Sequence, residues 1–115
     1  MVNGKGGAGK TEMRVNGKVV ATINGEANDG TGRLFVTERV GRVRIVGKDG
    51  KVQQEPFLDL TKINPLGSDV QTGFVEQGLY SIAFHPRFKQ NGYFYVHYAS
   101  LPFNGDGVIV RFQVD

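Results

Sequence analysis

The chain contains no cysteine, no tryptophan and only two histidines. The first absence excludes disulfides, thiolate metal sites and thiol nucleophiles, and leaves the redox compartment open. Long hydrophobic runs are also missing. No apolar stretch approaches the ~20 residues that a membrane-spanning helix needs, so a soluble chain without a membrane partner is expected. Apolar residues spaced three and four apart, the mark of an amphipathic helix, are nowhere sustained beyond one turn. Nor does charge of one sign dominate: 14 Lys and Arg stand against 11 Asp and Glu, a formal net charge of +3. The surplus lies near the start, where Lys5, Lys10, Arg14 and Lys18 face only Glu12. Further on, Arg33, Arg39, Arg42, Arg44, Lys48 and Lys51 are interleaved with Glu38, Asp49 and Glu55. A nucleic-acid reader clusters its cations on one face, so this interleaving reads as a solvated strand face and no nucleic-acid partner is expected.

Glycine is what the chain has in excess. Its 17 glycines in 115 residues are about twice the usual share, and without a Gly-X-Y period they point to many tight turns. The length suits one small domain, and the pattern is all-β. Asn16-Gly17 between Met13-Arg14-Val15 and Lys18 to Ile23 is a strong two-residue hairpin signal, because both turn residues must take positive φ. Four strands are expected in a first unit, at about 18–23, 33–38, 42–47 and 52–58. Arg42 to Val46 alternates polar and apolar, which places Val43 and Ile45 on one face. From Thr61 to Val75, Asn64-Pro65, Gly67 and Gly73 break every period, so a long loop is expected. Three more strands follow at about 79–84, 93–98 and 107–114.

The two units repeat: Gly32-Arg33-Leu34-Phe35-Val36 matches Gly92-Tyr93-Phe94-Tyr95-Val96 sixty residues later. A repeat of this kind, built from short antiparallel strands, marks a β-propeller blade. The organisation that results is residues 1–17 as a flexible Gly/Lys-rich leader and hairpin start, 18–60 as a first blade, 61–77 as a long loop and 78–115 as an incomplete second blade. Propellers close with roughly four to eight blades, so this chain holds about two blades of a larger ring.

Gly4-Lys5-Gly6-Gly7-Ala8-Gly9-Lys10-Thr11 satisfies the phosphate-loop pattern G-x-x-x-x-G-K-[ST], in which the glycines would cradle phosphates and Lys10 would meet their charge. Its context is wrong. A phosphate loop needs a buried strand before it and a helix after it, whereas only Met1-Val2-Asn3 precede it and Asn16-Gly17 breaks any following helix. A nucleotide binder through residues 4–11 is therefore the weakest alternative, and a leader or linker the better reading.

Three further stretches carry a resemblance: Asn28-Asp29-Gly30-Thr31-Gly32-Arg33-Leu34-Phe35-Val36-Thr37-Glu38, then Pro56-Phe57-Leu58-Asp59-Leu60, then Glu76-Gln77-Gly78-Leu79-Tyr80-Ser81-Ile82-Ala83-Phe84-His85-Pro86-Arg87-Phe88 with Asn91-Gly92-Tyr93-Phe94-Tyr95-Val96. In this order they resemble the glucose/sorbosone dehydrogenase family, soluble aldose sugar dehydrogenases that use pyrroloquinoline quinone (PQQ). The resemblance spans about residues 19–115 and implies a six-bladed β-propeller of which this chain is the first blade and most of the second. Residues 1–17 fall outside it.

The resemblance implies PQQ and Ca²⁺ as cofactors of the complete ring, an aldose oxidised at its anomeric carbon, and a periplasmic or secreted location, although nothing after Met1 reads as a signal peptide. The family's catalytic histidine and calcium-coordinating residues fall beyond Asp115, so no catalytic or metal residue is assigned and turnover by this chain alone is not expected. Carried over by position, Glu76 and its neighbour Gln77 look like cofactor-binding residues lining the pocket. His85, in Phe84-His85-Pro86, is expected to hold a turn, and His97 to be an ordinary strand residue. Tyr80, Tyr93, Tyr95 and Tyr98 with Phe84, Phe94 and Phe112 read as core between blades. The same propeller is shared by hedgehog-interacting protein, so the alternative the resemblance implies is a non-catalytic binding module, with the loop 61–75 as a contact element. Exposed strand edges, above all along Val108 to Val114, lead to an expectation of self-association, with a trimer giving six blades.

Overall fold

The computed structural model describes residues 11–16, 18–63, 68–73 and 77–114. Its described residues form two antiparallel sheets. The first runs β1 (Thr11–Val15), β2 (Lys18–Gly25), β3 (Leu34–Glu38), β4 (Arg42–Val46) and β5 (Leu58–Asp59) in that spatial order. The second runs β6 (Leu79–Phe84), β7 (Tyr93–Ala99) and β8 (Gly107–Gln113). Each sheet is a meander in which sequence neighbours are spatial neighbours, the layout of propeller blades. The chain is therefore all-β.

Several boundaries differ from the sequence expectation, each for a local reason. The Asn16-Gly17 hairpin forms, with Asn16 at φ 51°, and its first strand adds a fifth member to the first sheet beside β2. The strand expected at 52–58 is reduced to an isolated bridge between Val46 and Val52 and the two residues of β5. Pro56 has no amide to give to a ladder, and the segment before it is exposed. A one-turn helix, α1 (Phe88–Asn91), stands where only a turn was read, and Gly92 ends it in the left-handed region at φ 70°. Part of the expected loop is tied down as well. A 3₁₀ turn at Leu60–Lys62 buries Leu60 completely, and Val70 bridges Ser100.

The core lies between the sheets. Phe35, Val43 and Ile45 project from the first, and Ile82, Phe94, Val96 and Tyr98 from the second; all are buried. An aromatic cluster fills the gap. Phe35 and Phe84 have ring centroids 4.5 Å apart, Phe57 and Phe94 4.8 Å, and Phe84 and Phe88 4.8 Å. Tilted and edge-on rings at these distances add about 0.5–1.5 kcal/mol per pair beyond the area they bury. Tyr98, Phe84, Phe94 and Phe112 thus belong to or pack against the core between the blades.

Candidate functional site

The two sheets touch most closely where β2 and β3 meet the start of β6. Leu79 donates its amide to the Arg39 carbonyl at 2.9 Å, and Ala99 donates to the Gly78 carbonyl at 2.9 Å. Gly78 is held at φ 146°, and a Cβ there would lie 2.6 Å from the Arg39 carbonyl oxygen. Only glycine allows this approach. On the neighbouring strand Asn24 spans the sheets: its Nδ2 donates to the Thr22 carbonyl at 2.9 Å and to Thr37 Oγ1 at 3.1 Å, while Oδ1 accepts from the Ile82 amide at 3.4 Å.

Beside this pinch the sheets part into a cleft of about 430 Å³. Thr22 and Thr37 lie in its wall, with Glu12 and Arg14 from β1, Arg39 after β3, and Gln77 and Tyr80 across from them. Arg14 donates to Glu12 at 2.9 Å on the exposed rim. The Arg39 guanidinium donates to the Thr72 carbonyl at 3.0 Å, which holds the loop against the blade. The cleft wall thus mixes apolar Val19, Ala21 and Leu79 with two guanidinium groups, one carboxylate and the Gln77 side chain. A largely apolar cleft edged by a few charged and polar groups is the usual form of a small-molecule site.

Of the two residues singled out in the sequence, Gln77 lines this cleft, whereas Glu76 lies outside the described residues. Residues 4–10 of the phosphate-loop pattern lie outside them too. Thr11, its last member, begins a β-strand where a phosphate loop would begin a helix. His85 closes the turn after β6: its Nδ1 accepts from the Arg87 amide at 3.0 Å and lies 3.1 Å from Asn91 Nδ2. His97 is exposed and packs on Tyr80 with ring centroids 4.8 Å apart. Arg39 and Asn24 were not singled out from the sequence, since neither stands in a motif. The repeat alone offered a hint, because Arg39 follows directly on the matched strand.

Two carboxylates away from the cleft fix the loops of the first sheet. Burial alone would raise the Asp29 carboxyl; hydrogen bonds from the Thr31 hydroxyl and amide and from the Arg33 guanidinium outweigh it and hold the group at about 2. Asp59 follows the same logic. Its burial is outweighed by Thr61, whose hydroxyl and amide donate at 2.5 Å and 2.9 Å, and by Arg42, so its pKa is lowered. Among the described residues no group of three or more His, Asp or Glu is placed to hold a metal ion.

Two meander sheets packed face to face and repeating at sixty residues define a β-propeller segment. The glucose/sorbosone dehydrogenase family profile matches residues 26–114, and the chain belongs to that family. It is 42% identical over 77 residues to the hedgehog-interacting proteins of Homo sapiens and Mus musculus, a match covering 64% of this chain and 10% of each of those proteins. An uncharacterized protein of Synechocystis sp. is 34% identical over 68 residues, covering 59% of this chain and 16% of that protein. The chain thus spans a small part of the length of these relatives. Among the described residues no helix is long and apolar enough to cross a membrane.

Proposed function

We propose that the chain supplies two adjacent blades to a propeller that oxidises an aldose at its anomeric carbon, working only when the remaining blades complete the ring. The observation that carries this reading is the family match, which runs through both sheets from residue 26 to residue 114. PQQ and Ca²⁺, which the family resemblance implies for the complete ring, would supply the oxidant for the hydrogen removed from the anomeric carbon, and the proton acceptor would come from another blade. The residues of this chain bind and orient. Gln77 stands in the cleft wall with Thr22 and Thr37, and Arg39 ties the loop at Thr72 to the first blade.

The test is complementation. The full chain, expressed together with the remaining blades of an aldose sugar dehydrogenase, is expected to co-purify with them and restore dye-linked aldose oxidation that depends on added PQQ and Ca²⁺. Gln77→Ala in the same complex is expected to lower kcat/KM for the sugar at least several-fold. A complex that assembles, takes up quinone and oxidises no aldose would contradict the reading.

A second reading is favoured by one specific finding, the 42% identity to the hedgehog-interacting proteins. In that case the blades form part of a protein-recognition surface. Binding to a protein ligand would then be indifferent to PQQ and Ca²⁺, and the same complementation experiment separates the two.

A further inference from the structure

Gln77 stands in the cleft wall between two glycines, one fixing its backbone and the other its side chain. Gly78 follows it in the chain, and the bonds from the Leu79 amide to the Arg39 carbonyl and from the Ala99 amide to the Gly78 carbonyl hold that stretch to both sheets. The other glycine comes from the turn between β7 and β8. Gly105, at φ 89°, lies so close to the Gln77 side chain that a Cβ on it would overlap Nε2 and stand 3.2 Å from Cδ. The Gln77 amide therefore rests on bare backbone, which only glycine offers.

The turn that provides this support is tied down by bonds in which Gln77 has no part. Gly105 donates its amide to the Ser100 carbonyl at 2.8 Å, and Ser100 donates to the Asp106 carbonyl at 2.9 Å. Leu101 donates to the Asp69 carbonyl at 2.8 Å and Gln71 to the Ala99 carbonyl at 2.7 Å, so the turn is also bound to the loop before β6. Ser100, at the centre of these bonds, is 1% exposed. For the turn to retreat, several of them must lengthen together, whereas the end of a glutamine moves by changing rotamer. A Cβ at position 105 thus displaces the Gln77 amide and leaves the turn in place.

We infer that Gly105 is a positioning residue for the candidate site. It stands outside the cleft lining and sets where the Gln77 amide sits among Thr37, Arg39 and Tyr80, and so which groups of a ligand that amide reaches. A binding group is only as well placed as the residues that support it. The inference deepens the proposed function, on which its activity arm rests; the contact itself stands without it.

Nuclear magnetic resonance on the isotope-labelled full chain tests the contact, with the Gln77 side-chain amide assigned by its loss in Gln77→Ala. A cross-peak from that amide to the Gly105 Hα is expected in the NOESY spectrum of the wild type. Gly105→Ala is expected to shift the amide signals. Gly50→Ala is the control: Gly50 is at φ 82°, and an added Cβ there meets nothing within 4 Å beyond its chain neighbours. It carries the same backbone cost without the obstruction, and is expected to lower stability about as much while leaving the Gln77 signals in place. In the complemented complex, Gly105→Ala is expected to lower kcat/KM for the aldose several-fold, mainly through KM, and to add nothing to the loss caused by Gln77→Ala.

A missing wild-type cross-peak, Gln77 signals unmoved in Gly105→Ala, or a double variant clearly less active than Gln77→Ala overturns the proposal. A wild-type complex that assembles and oxidises no aldose contradicts the catalytic reading instead, and the amide signals then decide the positioning alone. If Gly105→Ala fails to fold, the wild-type cross-peak decides.

Discussion

The carbonyl oxygen of Arg39 accepts a hydrogen bond from the Leu79 amide at 2.9 Å, joining the turn after β3 of the first sheet to β6, the first strand of the second. The bond exists because Gly78 lets the backbone come close. Gly78→Ala would place a Cβ 2.5 Å from Arg39 Cγ at a φ of 146°, a conformation that costs a side-chain-bearing residue about 1–3 kcal/mol before any clash is counted. Urea unfolding is expected to show a loss of at least that size, with the Leu79 amide losing hydrogen-exchange protection ahead of the strand centres.

Asn24→Ala removes the side chain that caps the Ile82 amide on the facing sheet. Depriving a partly buried amide of its acceptor costs about 1–3 kcal/mol, less where water enters. Faster exchange at Ile82 with little change at Val110 is the expected pattern, since Val110 is held opposite Val96 in the β7–β8 ladder, which Asn24 does not join.

Asp29 makes the stability dependent on acid. Its carboxyl sits at about 2 in the folded chain against an ordinary 3.8, so its stabilisation is fully present above about pH 4 and is lost as the pH falls through the folded value. Asp29→Asn is expected to cost about 1 kcal/mol at neutral pH after allowance for solvent screening. The gap between variant and wild type should narrow as the pH falls from 4 and close only below pH 2, measured as the difference in urea midpoint across the pH range.

Tyr98 donates its hydroxyl to Asp69 at 2.5 Å and is 4% exposed. Burial first, then the hydrogen bond and the negative charge of Asp69, push its phenol well above the ordinary 10. Its contribution is therefore present below pH 10 and disappears above it, as the unfolded phenol ionises and the folded one does not. Tyr98→Phe is expected to destabilise by about 1–3 kcal/mol at neutral pH. It should also remove from the alkaline absorbance titration a tyrosine that ionises only with unfolding.

Much of this architecture is legible in the chain itself. Asn16-Gly17 fixes the first hairpin because few other pairs tolerate that turn, and the alternation of Arg42 to Val46 puts Val43 and Ile45 on the buried face, as observed. The repeat placed β3 beside β4 and β7 beside β8. What local pattern could not reveal depends on tertiary partners. Leu60 and Val70 are buried by contacts with Gly41 and Ser100 rather than by any period of their own. The Tyr98–Asp69 bond joins residues 29 apart, and Asn24 finds its amide partner 58 residues away. For the candidate site, Gln77 came from a family position, whereas Thr22 and Thr37, paired across β2 and β3, come to the cleft wall through strand register.

The most direct measurement of the central claim, that two blades pack face to face within one chain, is a NOESY spectrum with the phenylalanine rings assigned. Strong cross-peaks are expected between Phe35 and Phe84 and between Phe57 and Phe94, whose ring centroids lie 4.5 Å and 4.8 Å apart across the sheets. Loss of both, with the Phe94–Phe112 cross-peak within the second sheet intact, would mean that the sheets form without packing on one another and would contradict the propeller architecture.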